Sequence, residues 1–382
     1  MQPQYSIAAF SHLRWNFVYQ RPQHLLSRLA ARHPVAFIEE PELDADGPAR
    51  WERSQPQPNV TVYRPRTPVG PPGFDADQLP VLEPLIAEIR SELGGTHVLA
   101  WLYTPMALPL ARALAPDAVV YDCMDELSLF LGAPPELLSH EAELLKYADV
   151  MFTGGPSLFR AKQSRHPNVH CFPSSVDAGH FRLVDAGGRH VSEAEDQAEL
   201  PHPRLGFYGV IDERLDLELV DRLAEAHPDW QIVLVGPVVK IDPERLPRRP
   251  NIHYFGQRSY DELPRYLAGW DVCLLPFARN EATRFISPTK TLEYMAAQLP
   301  IVSTPITDVA EPYGEIVYLG GTPDEFLAAC ETALSSSAEE RARWAEQMRK
   351  VLAGTSWDVT VAAMDRLLDQ AMAVNLDARV PA

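Results

Sequence analysis

Positive charge is scarce in this sequence. Its 382 residues carry 52 acidic against 34 basic side chains, a formal net charge of −18. The deficit runs through both halves, with 15 basic against 21 acidic side chains in 1–185 and 19 against 31 in 186–382. Neither half offers the basic field of a nucleic-acid binder or of a binder of anionic membranes. Cysteine is scarcer still. Cys123, Cys171, Cys273 and Cys330 are scattered and form no C-x-x-C pair, which argues against a zinc site and against a disulfide framework. No stretch of about 20 apolar residues exists, so no membrane-spanning helix is expected. The opening "MQPQYSIAAF" has no basic leader region, so no signal peptide is expected. H-E-x-x-H, EF-hand and P-loop patterns are missing, and no metal is demanded.

The chain does have an ordinary globular composition, 46% hydrophobic and 23% charged, at a length that favours two domains. Short apolar runs recur between helical patterns. In the first half they fall at 5–10, 35–40, 60–65, 97–103, 118–123, 150–154 and 169–175. After 204 they fall at 204–209, 231–236, 252–256, 272–277, 301–304 and 316–320. Strands that are apolar throughout and alternate with helices predict parallel sheets covered on both faces. The stretch "LVDAGGRHVSEAEDQAELPHP" (183–203) is acidic, contains glycine and ends in proline, and it reads as a linker. The expected organisation is therefore α/β: a domain at 1–182, the linker 183–203, a second domain at 204–355 and a terminal helical segment at 356–382. In open α/β sheets ligands bind beyond the carboxyl ends of the strands. Two such domains facing a cleft could hold a nucleotide on one side and an acceptor on the other.

"SPTKTLEYMAAQLPIVST" (287–304) is the most informative stretch. Ser287 suits an N-cap and Pro288 the first helical position. A helix start carrying Thr289, Lys290 and Thr291 favours an anion through its dipole and its lysine. Glu293, one turn further on the same side, is placed to accept the hydroxyls of a ribose. A helix start that is merely capped is the plain alternative. A Ser-x-x-Lys acyl enzyme is another, but its Ser-x-Asn and Lys-Thr-Gly companions are missing. In the first half, "YDCMDE" (121–126) closes a strand with Asp122, Asp125 and Glu126. Strand-end carboxylates can act as bases or bind acceptor hydroxyls, or can simply cap and solvate a loop. Arg14, Trp15, Gln20 and Arg21 follow the first strand, where their aromatic and polar groups would suit a sugar. Packing for Trp15 and an ion pair for Arg21 are the structural alternatives. His12 and His24 have no evident partner and read as structural.

The run from 204 to about 320 resembles the donor domain of GT-B glycosyltransferases of the family-4-like (glycosyl transferase group 1) type. "GFYGVIDERLDLELVDRLAEAHPDWQIVLVGP" is similar to their first strand, helix and second strand. "SPTKTLEYMAAQLPIVST" is similar to their helix whose glutamate holds the nucleotide ribose. "FSHLRWNFVYQRPQHLLSRLA" resembles the opening of a subgroup that includes teichuronic-acid and other cell-surface polysaccharide transferases. The resemblance implies two Rossmann-like domains, with a C-terminal helix that crosses back to the first. It implies transfer of a sugar from a UDP- or GDP-linked donor to a saccharide or lipid-linked acceptor, with retention and without a metal or other cofactor. The departing phosphate would then take the acceptor proton. Glu293 would bind the ribose. Ser287, Thr289, Lys290 and Thr291 would face the pyrophosphate or sugar, with Gly209 giving backbone access and Arg214 adding positive charge. Gln257 and Arg258 would lie near the base, and Arg284 near the sugar or phosphate.

Three departures stand out. The family usually has two glutamates separated by seven residues, and the earlier position here is Phe285, with Glu281 off register. The usual Gly-Arg after the domain's first strand is Gly209-Val210. The glycine-rich N-terminal loop of many relatives is replaced by bulky "SHLRWNFVYQRP". These favour, as an alternative, a non-catalytic glycosyltransferase-like subunit that binds nucleotide or a partner; a sugar-nucleotide 2-epimerase is a second alternative of the same fold, which needs acid/base carboxylates and histidines that the sequence does not point to. The expected location is cytoplasmic, with peripheral contact at the inner membrane face where the acceptor is lipid-linked.

Overall fold

A computed structural model describes residues 5–93, 97–184 and 187–378. The chain divides into two compact units. One holds the described residues up to Ser128, then 132–173 and those from Trp357 onward; the other holds 129–131 and 174–356.

The first unit is built on a nine-stranded sheet: β1 (Tyr5–Ser11), β2 (Val35–Glu39), β3 (Glu42–Leu43), β4 (Arg50–Gln57), β5 (Val60–Thr67), β6 (His97–Leu102), β7 (Ala118–Cys123), β8 (Val150–Thr153) and β9 (Val169–Cys171). The order is β3-β5-β2-β1-β6-β7-β8-β9, with β4 paired to β5. Every residue of β1, β2, β7 and β8 is buried, as the unbroken apolar runs predict. β4, "RWERSQPQ", was not legible as a strand. It is polar, carries Pro56, and pairs antiparallel at the edge, where a strand needs no buried face and tolerates proline.

The helix Trp357–Asp377 belongs to this unit. Trp357, Val361, Met364, Leu368 and Met372 form one buried stripe at helical spacing. Trp357 stacks on His24, ring centroids 4.6 Å apart. Asp365 and Asp369, one turn apart, both pair with Arg32. His33 Nε2 lies 3.0 Å from Asp365, and Tyr5 donates to Asp369 at 3.2 Å. His33, Asp365 and Asp369 lie within ligand distance of one another, yet Arg32 and the Tyr5 hydroxyl already bind the two carboxylates.

The second unit has a six-stranded parallel sheet: β10 (Arg204–Tyr208), β11 (Gln231–Val235), β12 (Ile252–Gly256), β13 (Val272–Leu275), β14 (Ile301–Ser303) and β15 (Tyr318–Leu319). Its order, β12-β11-β10-β13-β14-β15, is that of a doubly wound nucleotide-binding sheet. The strand order reverses between β10 and β13, so the carboxyl ends of these two strands flank the crevice where such sheets bind ligands.

The expected linker is not a linker. Residues from Ser174 onward pack in the second unit, and the division falls after 173 rather than after 182. Gln197 is fully buried; its amide donates to the Tyr266 carbonyl at 2.9 Å and accepts from Trp270 Nε1 at 3.1 Å. The buried Arg204 guanidinium is satisfied by Glu193 and by the carbonyls of Ala198 and Leu200. Irregular backbone can be packed this way, by side chain to main chain bonds. Acidic, Pro- and Gly-marked composition does not distinguish it from a free connector. Among the described residues no helix is long and apolar enough to cross a membrane.

Candidate functional site

β10 ends at Tyr208 and the chain turns at Gly209, whose φ is +138°. Gly236, after β11, has φ +150°, and a Cβ there would fall 1.9 Å from the Gly209 carbonyl oxygen. The two strand ends can therefore approach only as glycines. Across the switch point, the helix Lys290–Ala297 starts after a turn closed by the Thr291 amide to the Pro288 carbonyl at 3.1 Å. The Lys290 ammonium lies 5.5 Å from the Phe207 ring centroid and 5.9 Å from that of Phe277, residues at the carboxyl ends of β10 and β13. A helix start and a lysine at this crevice have the chemistry to attract an anion.

The helix begins later than the sequence suggested. Thr289, not Ser287, is the N-cap residue; it has helical torsions, and no side chain caps it. Ser174 supplies the missing order instead, donating to the Ser287 carbonyl at 3.1 Å and accepting from Thr289 Oγ1 at 3.0 Å. Thr291 is buried and its hydroxyl has no hydrogen-bond partner, so it does not face an open site beside Lys290.

Glu293 is only 6% exposed. Its Oε2 accepts from the Tyr208 hydroxyl at 2.6 Å. Burial pushes its carboxyl up to about 7; the Tyr208 bond and then Lys290 oppose this, and Asp177 adds to it. The side chain lies one helical turn from the lysine.

The other expected donor residues are more dispersed. Arg214 is held by Asp212 through Nε and Nη2, the latter at 2.6 Å, so its charge is largely balanced locally. Arg258 pairs with Asp196 at 2.7 Å and donates to Tyr266, while Gln257 is exposed. Arg284 is exposed, 5.1 Å from the Phe285 ring and 3.5 Å from Glu281. Phe285, in place of the usual first glutamate, is half-buried, and no carboxylate replaces it within the helix start.

In the first unit the expected acceptor residues are taken up by the scaffold. Arg21 and Asp122, 5% and 0% exposed, form a buried pair with Nη2 to Oδ1 at 2.9 Å and Nε to Oδ2 at 3.0 Å. Arg21 also donates to the Phe172 carbonyl. Both groups are enclosed by the scaffold. Arg14 binds Glu39 at 3.2 Å and neighbouring carbonyls. Trp15 packs edge-on against Phe37 at 5.0 Å. Gln20 caps the helix Arg21–Leu29 reciprocally with Gln23. Asp125 is half-buried, its carbonyl accepting from Cys123 Sγ at 3.5 Å. Glu126 pairs with the buried Lys162, which also binds Glu141 at 2.6 Å.

Sequence reasoning missed Ser174, Asp177, Tyr208 and Gly236. The first two lie in "VHCFPSSVD" and were assigned to the wrong domain. Tyr208 and Gly236 end strands that were read, and a strand-end position in a doubly wound sheet was the available signal.

Residues 202–336 match the family described as Glycosyl transferases group 1. Bacillus subtilis TuaH, assigned as a teichuronic acid biosynthesis glycosyltransferase, is 26% identical over 301 residues, covering 72% of this chain and 73% of that protein. Among solved structures, the sucrose-phosphate synthase of Thermosynechococcus elongatus superposes with a TM-score of 0.74 at 16% identity, over 97% of this chain and 100% of that one. The UDP-forming alpha,alpha-trehalose-phosphate synthase of Burkholderia xenovorans, in complex with glucose-6-phosphate, gives 0.67 at 14% identity, over 96% and 99%.

Proposed function

We propose that this protein, whose residues 202–336 match the Glycosyl transferases group 1 family within a chain of GT-B fold, moves a sugar from a nucleotide-sugar donor to a hydroxyl of a saccharide or lipid-linked acceptor in cell-surface polysaccharide synthesis. The observation that carries this reading is the placement of Lys290 and Glu293 one turn apart on the helix at the β10/β13 switch point. The lysine and the helix start suit a diphosphate, and the carboxylate suits the vicinal hydroxyls of a ribose. A UDP-linked donor is the first choice because the Burkholderia neighbour is UDP-forming. GDP is the second.

Charge develops on the leaving diphosphate as the glycosidic bond breaks. A preorganised cation and helix dipole stabilise it without moving, which fits a metal-independent reaction. Among the described strand-end carboxylates of the first unit, Asp122 is bound to Arg21 and Glu126 to Lys162, so neither is offered as a ready base. That agrees with a retaining mechanism in which the departing phosphate takes the acceptor proton. Phe285 favours a second reading, a nucleotide-binding subunit without transferase activity.

Calorimetric titration with UDP, GDP, ADP and CDP tests the proposal. One nucleotide should bind, and Glu293→Ala should weaken it about tenfold or more, the loss of hydrogen bonds to a charged acceptor. Nucleotide binding with no sugar transfer from any matching donor would select the subunit reading. Failure of all four to bind would sink both.

A further inference from the structure

The carboxylate of Glu293 is made usable by a neighbour on a different element. Tyr208 is the last residue of β10, and its hydroxyl donates to Glu293 Oε2 at 2.6 Å. The tyrosine is itself 3% exposed and its ring cannot swing away. The Tyr294 ring meets it edge-on at 5.1 Å, Trp270 lies at 5.9 Å and Phe181 at 6.3 Å. Its main-chain N–H is also fixed, donating to the Tyr294 hydroxyl at 3.2 Å. Two fully packed tyrosines thus tie the end of β10 to the helix Lys290–Ala297.

On the donor-site reading above, we infer that Tyr208 is a positioning residue for Glu293: it holds one carboxylate oxygen so that the group meets a ribose diol in one orientation and ionised. A carboxylate accepts from two hydroxyls, whereas its protonated form must donate through one oxygen. Which form is present is a balance of the groups that face it. Burial disfavours the charge, and Asp177, just ahead of the helix Ala178–Phe181, does the same. The Tyr208 hydroxyl and Lys290 favour it. Loss of the Tyr208 donor therefore shifts that balance toward the protonated carboxyl.

The test is calorimetric affinity for the preferred nucleoside diphosphate between about pH 6 and about pH 9, for wild type, Tyr208→Phe, Glu293→Gln and the double variant. The ligand phosphate ionises identically in all four, so the differences report the protein. Wild-type affinity should rise with pH through about 7. In Tyr208→Phe that rise should move to higher pH, with affinity several-fold lower at pH 7 and restored toward wild type at the alkaline end. Removing the hydroxyl should have no further effect in the Glu293→Gln background. Melting temperatures, read in parallel, confirm that the Phe ring keeps the fold. A Tyr208→Phe loss that is equal at every pH, or that persists in Glu293→Gln, would mean the tyrosine only packs, and would overturn the inference. Absence of nucleotide binding by wild type would remove the donor site itself, and the role of Tyr208 with it.

Discussion

The Lys290 side chain fills the space that a side chain at residue 209 would need. A Cβ on Gly209 would lie 2.2 Å from Lys290 Cε and 2.7 Å from Nζ. Gly209 also has φ +138°, where an L-residue is strained. Gly209→Ala should therefore push the ammonium off the end of β10 and weaken nucleotide binding about tenfold. It should also cost about 1–3 kcal/mol of stability, the usual range for overpacking. Titration calorimetry and urea unfolding measure the two effects separately. An alanine variant with full affinity would show that Lys290 can shift without consequence.

Lys290 is expected to act by charge. Lys290→Met should reduce diphosphate affinity by about 1.5–3 kcal/mol, the worth of hydrogen bonds from a charged donor, and should flatten the dependence on salt. Lys290→Arg should retain most of the salt dependence. The comparison needs a nucleoside and its diphosphate in parallel. If the variant weakens both equally, the lysine is not reading phosphate.

Arg21 and Asp122 illustrate the opposite outcome for a pair of expected site residues. Their pairing is buried and bidentate, so either single substitution, Arg21→Met or Asp122→Leu, leaves an uncompensated buried charge. Each should destabilise the first unit by about 3–5 kcal/mol, and the double substitution should recover much of that loss. Denaturant unfolding of the four proteins closes the cycle. A single variant that folds normally but loses transferase activity would instead give Asp122 a direct part in the chemistry.

The fold was legible because the central strands of both sheets are buried on both faces, and unbroken runs such as "YSIAAF" and "QIVLV" have no other economical reading. In the second unit the placement of Lys290 and Glu293 was legible, one turn apart at the start of a helix. For Arg14, Trp15, Gln20 and Arg21 the sequence left ligand and scaffold roles undivided for a physical reason. Residues just past a buried strand can meet a ligand or tie the strand end to its neighbours. The choice rests on partners such as Glu39 and Asp122 that are remote in sequence. The 183–203 stretch misled because Gln197 and Glu193 find their partners about 70 and 11 residues away, and no local pattern announces that.

The terminal helix carries its own pH dependence. Asp365 lies below the ordinary carboxylate value of 3.8: burial opposes this, and His33 and then Arg32 outweigh it. A carboxyl with a depressed folded pKa contributes stability that is present above its unfolded value and is lost as pH falls through the folded one. The helix should therefore hold through neutral pH and loosen below about pH 4. Since Trp357, Met364 and Leu368 bury their side chains in the same unit, that loosening exposes a tryptophan, and Trp357 fluorescence should report it. Asp365→Asn should be less stable than wild type at pH 7 and should lose part of the acid transition. An unchanged acid midpoint in Asp365→Asn would assign the transition to other carboxylates.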